Sequence, residues 1–161
     1  MRSNINIRYA TEKDLGIILG FIRKIARYER LEKEVEATEE SLKEAIFQKR
    51  YAKVIIAEYN KRDVAFAVFF YTFSTFTSRP TLYIEDIYVD EDCRRLGIGY
   101  EIFRFLAGLA KKENCSRMEL SALKWNSPAI NFYKKLGGTI LSEWVQFRFD
   151  ESVLNKLTEN I

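Results

Sequence analysis

The sequence predicts a mixed α/β fold in which a central sheet is flanked by helices. Three observations carry this. Ile5, Ile7 and Tyr9 alternate with polar residues, and β-branched or aromatic runs follow at Lys53 to Tyr59, Val64 to Phe73 and Leu82 to Val89. The stretches between and after them repeat apolar residues at helical spacing instead. The resulting order is strand, two helices, three strands, helix, strand, helix and two strands. Within it, Leu82 to Ala122 forms a strand–helix–strand unit, expected to be a right-handed parallel crossover.

Each element has a local reason. Thr11 stands as an N-cap with Asp14 in the first turn. Leu15, Ile18, Leu19, Ile22, Ile25 and Ala26 then carry the first helix to about Tyr28. Gly16 and Gly20 on it read as close helix packing, given the charged residues Glu12, Lys13, Asp14 and Arg23 nearby. Thr38 caps a second helix bearing Leu42, Ala45 and Ile46. Asn60-Lys61-Arg62-Asp63 turns the next two strands into a hairpin, and a polar loop from Ser74 to Pro80 leads to the third. A helix from Gly97 to Glu113 carries Ile98, Ile102, Phe105, Leu106 and Leu109 on one face, and Arg117 to Ala122 is a strand. Ser127 as N-cap and Pro128 at the first helical position open a helix that Gly137-Gly138 closes. Thr139 to Ser142 and Val145 to Phe149 read as the last strands, and Ser152 onward as a final helix.

Composition narrows the function. The 161 residues fit a single domain over 1–161, and 47% hydrophobic with 30% charged residues supports a buried core. No apolar run reaches the length of a membrane span, and Met1-Arg2-Ser3-Asn4 leads straight into the first strand, so neither anchor nor leader is expected. Cys93 and Cys115 fit no metal-ligand spacing, so the expectations are no metal and a reducing, cytoplasmic location. The net charge of +3 is small and its basic residues are scattered, which argues against nucleic acid. The absence of histidine excludes Ser/His/Asp hydrolases, Cys/His proteases, His-ligated zinc and any histidine base.

The densest chemical signal is the turn Arg94-Arg95-Leu96-Gly97-Ile98-Gly99 between an apolar strand and a helix. Glycines let the backbone approach a ligand, and the free N–H groups of a helix start favour an anion. Arg94 or Arg95 adds a charge-assisted contact. The residue types suit a pyrophosphate cradle, although an ordinary tight turn with incidental arginines has the same letters. Two other phosphate motifs fail: a dinucleotide fingerprint needs a small residue at Ile102, and a P-loop needs Lys and Ser/Thr at Tyr100 and Glu101.

Arg-x-x-Gly-x-Gly after an apolar strand resembles the acetyl-CoA motif of the GNAT N-acetyltransferases. The segments Leu82-Tyr83-Ile84-Glu85-Asp86-Ile87-Tyr88-Val89, Trp125-Asn126-Ser127-Pro128-Ala129-Ile130-Asn131-Phe132-Tyr133-Lys134-Lys135-Leu136-Gly137 and Ile7-Arg8-Tyr9-Ala10-Thr11 with Arg27-Tyr28-Glu29 are similar to the spermidine/spermine (diamine) acetyltransferase branch. The resemblance covers nearly the whole chain. It implies a GNAT-like, mostly antiparallel sheet and acetyl-CoA as cosubstrate, without a metal. It further implies that the amides of Gly97, Ile98 and Gly99, with Arg94, Arg95, Leu96 and Tyr100 nearby, bind the pyrophosphate. Ile87, Tyr88 and Val89 would pair with the pantetheine arm, Asn126 would contact it, and Tyr133 would sit near the sulfur.

Amine acetylation needs a proton taken from an ammonium and one given to the leaving thiolate. Tyr133, with a phenol pKa of about 10, is protonated at neutral pH and is the candidate acid. Its neighbours Ala129, Ile130 and Leu136 equally suit a core tyrosine. Glu85 is the candidate base; alternation puts it on one strand face with Tyr83, Ile87 and Val89, and Asp86 on the other with Ile84 and Tyr88. A structural ion pair is the alternative for Glu85. The acidic run Glu29, Glu32, Glu34 and Glu36 reads by itself as a solvated face, whereas the match of Glu29 to a family acidic residue implies amine recognition. Asp86 and Phe76 complete the substrate-binding candidates. Cys93 and Cys115 read as structural, since no histidine activates a thiol.

One departure bears on the substrate. Where the polyamine enzymes carry an Asp followed closely by a Trp, this chain has Ser74-Thr75-Phe76. With fewer carboxylates for a long polycation, a smaller amine such as thialysine or a lysine-like diamine becomes the rival of spermidine and spermine. The resemblance also implies a homodimer sharing C-terminal strands. The competing functions are a protein or peptide N-terminal acetyltransferase and a non-catalytic acyl-CoA sensor.

Overall fold

The computed structural model describes residues 4–159. The expectation about a leader rests partly on residues 1–3 and lies outside the described residues. Two compact units divide the chain, Met1–Leu123 and Lys124–Ile161.

The first unit is a five-stranded sheet in the order β1-β2-β3-β4-β5, formed by β1 (Ile5–Tyr9), β2 (Lys53–Tyr59), β3 (Arg62–Ser74), β4 (Arg79–Val89) and β5 (Arg117–Leu120). All neighbours are antiparallel except β4 and β5, the parallel pair that the crossover predicts. Asn60 and Lys61, at φ 51° and 63°, make the β2–β3 hairpin a two-residue turn of the primed type, shorter than the expected four-residue turn. The β3–β4 connection is also shorter than its polar letters suggest, because pairing continues to Ser74–Arg79.

Helix α1 (Leu15–Glu29) and helix α3 (Ile98–Lys112) cover opposite faces of the sheet; between them in sequence lies the short α2 (Glu39–Leu42), which runs on as a π-helical segment to Gln48. Ile18 and Phe21 of α1 pack on Val54, Ile56, Phe66 and Tyr88. Ile98, Ile102 and Leu106 of α3 pack on Ile55, Ala65, Phe69, Leu82 and Ile84. Period-2 strands between period-3.6 helices thus bury both faces. Asp14 opens α1 by accepting from the Thr11 N–H at 2.8 Å and from the Arg8 guanidinium at 2.8 and 2.9 Å. Those donors hold its carboxyl at about 2, with Arg8 the main cause. Thr38 caps α2 by accepting from Ser41 N–H at 3.1 Å, as its position predicts.

The second unit contains α4 (Ser127–Lys135) and α5 (Glu151–Thr158). Asn126, not Ser127, is the N-cap of α4, its Oδ1 accepting from Ala129 N–H at 3.3 Å, with Pro128 in the first turn. The helix closes as expected at Gly137, φ 92°, with Gly138 N–H donating to the Tyr133 carbonyl at 2.9 Å. The strands expected at Thr139 to Ser142 and Val145 to Phe149 are not formed. An alternating pattern makes a strand only when another edge supplies hydrogen-bond partners. Here Ile140, Leu141, Trp144, Val145, Phe147 and Phe149 are all exposed.

Candidate active site

Strand β4 changes character in its middle. Its pairing with β5 runs from Thr81–Arg117 to Ile84–Leu120 and stops there. At the same point the register with β3 jumps from Ile84–Phe69 to Asp86–Val68, so Glu85 is the extra residue of a β-bulge. The bulge resets the alternation. Leu82 and Ile84 face α3, and so do Ile87 and Val89 beyond the bulge. The expected face-sharing is corrected accordingly: Ile84 does not accompany Asp86 and Tyr88, and Glu85 stands between two registers. Asp90 N–H donates to Val64 of β3 at 2.8 Å, so by alternation the backbone groups of Ile87 and Val89 point to the side that β5 has left. That open edge is the kind that pairs with an extended amide-bearing ligand.

Beyond β4, a 3₁₀ turn over Glu91–Cys93 precedes the Arg94–Gly99 segment. Arg95 takes φ 66° and Gly97 φ 84°, two left-handed steps that swing the backbone into α3. A Cβ built on Gly97 meets nothing within 4 Å, so the protein leaves this surface clear. The buried Ile98 side chain anchors the helix start while its first-turn amides remain outside the intrahelical ladder. A diphosphate fits there by donor chemistry and by dipole sign. Arg95, Leu96 and Tyr100 are exposed around the turn.

Arg94 is engaged differently. Its Nε donates to the Val89 carbonyl at 3.1 Å. Its guanidinium carbon lies 4.9 Å from the Tyr28 ring centre and 5.5 Å from that of Tyr88. Tyr28 ends α1 beside Glu29, and a second tether, Lys24 Nζ to Asp90 Oδ1 at 2.6 Å, joins the same helix to the end of β4. Sequence reasoning assigned no role to Tyr28 or Lys24; only packing of α1 on β4 reveals them. Cys93 is buried, with Arg62 Nη2 at 2.9 Å from its sulfur.

The carboxylates gather at the bulge. Burial pushes the Asp86 carboxyl up to about 6, and the negative charges of Glu85 and Glu29 add to the shift. Burial also raises Glu29. Glu85 itself is exposed. Three acidic side chains from α1 and β4 thus make a negative site at the point where β4 and β5 part. The clue in the sequence was the Glu85-Asp86 pair inside an apolar strand; which of the two is half-buried depends on the bulge.

Other expected residues lie apart. Phe76 is fully exposed at the tip of the β3–β4 hairpin, six strand residues before Glu85 begins the bulge, or roughly 20 Å along β4 at about 3.3 Å per residue. This chain does not bring it to the carboxylates. An open cleft between Tyr9 and the Arg104–Lys112 side of α3 contains none of the expected site residues. In the second unit, Asn126 is buried and Tyr133 is half-buried on α4, its ring 5.6 Å from that of Phe132. Among the described residues, no helix is long and apolar enough to cross a membrane and no cluster of His, Cys, Asp and Glu is arranged to hold a metal ion.

Comparison with known proteins bears on the family and the fold. Residues 19–138 match the profile of the Acetyltransferase (GNAT) family. A thialysine N-epsilon-acetyltransferase from Mus musculus is 34% identical over 167 residues, covering 96% of this chain and 98% of that protein. The human spermidine/spermine N(1)-acetyltransferase-like protein 1 is 31% identical over 92% of this chain and 23% of its own length. Among solved structures, an integron cassette protein from the mobile metagenome of V. cholerae superposes with a TM-score of 0.81 at 26% identity, over 97% of this chain and 98% of that one.

Proposed function

This chain belongs to the GNAT acetyltransferase family and is an acetyl-CoA-dependent N-acetyltransferase, and on that premise we propose that its acceptor is a small primary amine of the thialysine or diamine class. The observation that carries the reading is the construction of β4. One strand holds an open backbone edge leading to the Gly97 turn and, a few residues earlier, the acidic bulge of Glu85 and Asp86.

Acetyl-CoA supplies a thioester-activated acetyl group. The amides of Gly97, Ile98 and Gly99 hold its diphosphate, with Arg95, Leu96 and Tyr100 at the rim, and Ile87 and Val89 orient the pantetheine arm by strand-like pairing. Asn126 is a further contact to that arm. Glu29 and Asp86 hold the cationic acceptor, and Glu85 takes the ammonium proton, directly or through water. The freed nitrogen forms the C–N bond as the C–S bond breaks, Tyr133 donates its phenolic proton to the departing sulfur, and the second proton that the nitrogen sheds on becoming an amide returns to the Tyr133 phenolate. Residues 1–161 act as one catalytic domain in this reading.

Two further parts of the proposal concern context. A homodimer is supported by residues 139–149, which form no strand of their own and leave Ile140, Leu141, Trp144, Val145, Phe147 and Phe149 exposed for a second copy to cover. A cytoplasmic location is supported by the unpaired Cys93 and Cys115.

The test is thiol release from acetyl-CoA with spermidine, spermine, putrescine, thialysine, lysine and a short peptide as acceptors. Turnover is expected with thialysine or the diamines ahead of the peptide. Preference for the peptide, or binding of acetyl-CoA with no turnover on any amine, refutes the acceptor class. Tyr133→Phe is expected to lower kcat by about 10²-fold, the usual contribution of a positioned acid, with acetyl-CoA affinity kept. Normal turnover by that variant removes Tyr133 from the mechanism.

A further inference from the structure

Arg94 is the first residue of the phosphate motif, yet its guanidinium faces the protein. It donates to the Val89 carbonyl at 3.1 Å and lies over two tyrosine rings, one from α1 and one from β4. Tyr88 in turn packs against Phe21 of α1, with ring centres 6.3 Å apart. Glu29 follows Tyr28 at the last residue of α1. The guanidinium therefore joins three things: the end of β4, the turn that begins at its own backbone, and the helix end that carries an acidic residue of the amine site.

We infer that Arg94 is a positioning residue rather than a phosphate ligand: it clamps the Tyr28–Glu29 end of α1 onto β4 and so ties the geometry of the amine site to that of the cosubstrate turn. This rests on the acetyltransferase reading above. A guanidinium is needed because it is planar: its face can lie against an aromatic ring while Nε donates in its own plane to Val89. An ammonium serves a phosphate well as a point charge but cannot reproduce that stack. The Lys24–Asp90 ion pair holds the same helix one turn earlier, so removing the clamp loosens the end of α1 without releasing the whole helix.

The discriminating variant is Arg94→Lys, measured two ways. Calorimetry gives the acetyl-CoA affinity with no amine present, and initial rates give KM and kcat for thialysine. The clamp predicts an acetyl-CoA Kd within about threefold of wild type and an amine KM raised about tenfold, the order that one cation–π interaction is worth. Tyr28→Leu, which leaves Arg94 in place, is expected to raise the amine KM similarly, and Tyr28→Phe, which keeps the ring face, to recover most of it. A phosphate-ligand role predicts the reverse: Arg94→Lys nearly silent, and Arg94→Gln weakening acetyl-CoA binding in a salt-dependent way with the amine KM unchanged. That pattern overturns the clamp, as does an unchanged amine KM in both Arg94→Lys and Tyr28→Leu. If the wild type binds no acetyl-CoA, the acetyltransferase reading itself fails. If it binds acetyl-CoA but ignores thialysine, the acceptor class fails, and the acetyl-CoA affinity of Arg94→Gln, kept if Arg94 is a clamp and weakened if it is a phosphate ligand, still decides the clamp.

Discussion

Replacing Asp86 by Asn separates what the fold wants from what the amine site wants. The Asp86 carboxyl is raised from 3.8 to about 6, first by burial and then by Glu85 and Glu29. Its folded pKa lies above its unfolded value, so between those two pH values the folded state binds a proton that the unfolded state has lost. Stability at this group is therefore complete below about pH 4 and declines as pH rises through about 6. The shift is roughly two pKa units, and at about 1.4 kcal/mol per unit the ionised carboxylate costs at most about 3 kcal/mol at neutral pH. Asn keeps the shape and removes the charge. Allowing for an amide that still needs partners, Asp86→Asn is expected to gain about 1–2 kcal/mol at pH 8, or about 3–6 °C in Tm for a chain of this size. At pH 4, where the wild-type group is already protonated, the gain should vanish. The same variant should lose at least tenfold in kcat/KM for the amine, because the cation that repays the buried charge no longer finds it. Thermal melts at pH 4, 6 and 8, with initial rates at pH 8, measure both. A pH-independent effect, or destabilisation at pH 8 with the fold intact, refutes the argument that Asp86 is an uncompensated carboxylate held for a ligand.

Three other outcomes follow from the geometry. Asp14→Asn breaks the pair with Arg8 and the bond from Thr11; because the folded Asp14 pKa is lowered to about 2, its contribution is present above the ordinary carboxylate range and lost as pH falls toward 2. A loss of about 2 kcal/mol at pH 7 that shrinks below about pH 3.5 in urea melts is expected. Lys61→Gly relieves a left-handed residue in the β2–β3 turn, φ 63°, and should stabilise the protein by a few tenths to about 1 kcal/mol; no gain means that the turn is held by its strands alone. Gly97→Val forces a β-branched residue to φ 84° beside the phosphate turn, costing about 1–3 kcal/mol and lowering acetyl-CoA affinity by calorimetry, and unchanged affinity removes that turn from the cosubstrate site.

Local chemistry made much of this protein legible in one dimension. The alternation of β1, the β-branched and aromatic runs of β2 to β4, the period-3.6 runs of α1 and α3, the cap at Thr38 and the Gly137 stop all depend on neighbours within a few residues, and each forms where its pattern lies. The Arg94–Gly99 turn was equally visible, because left-handed backbone at Gly97 and a helix start are local properties. Other features depend on interactions between distant segments. The bulge at Glu85 arises from pairing with β3 and decides that Asp86 is half-buried while Glu85 is exposed. The clamp on Arg94 needs Tyr28, which is 66 residues away in the chain and meets it only because α1 packs on β4. The alternating residues after Gly138 have strand-like letters but no strand, since a strand is completed by the edge beside it. Sequence by itself determined the elements whose energetics are local; tertiary structure decided register, burial and side-chain partnership, because those free energies belong to pairs of segments and exist only once the segments meet.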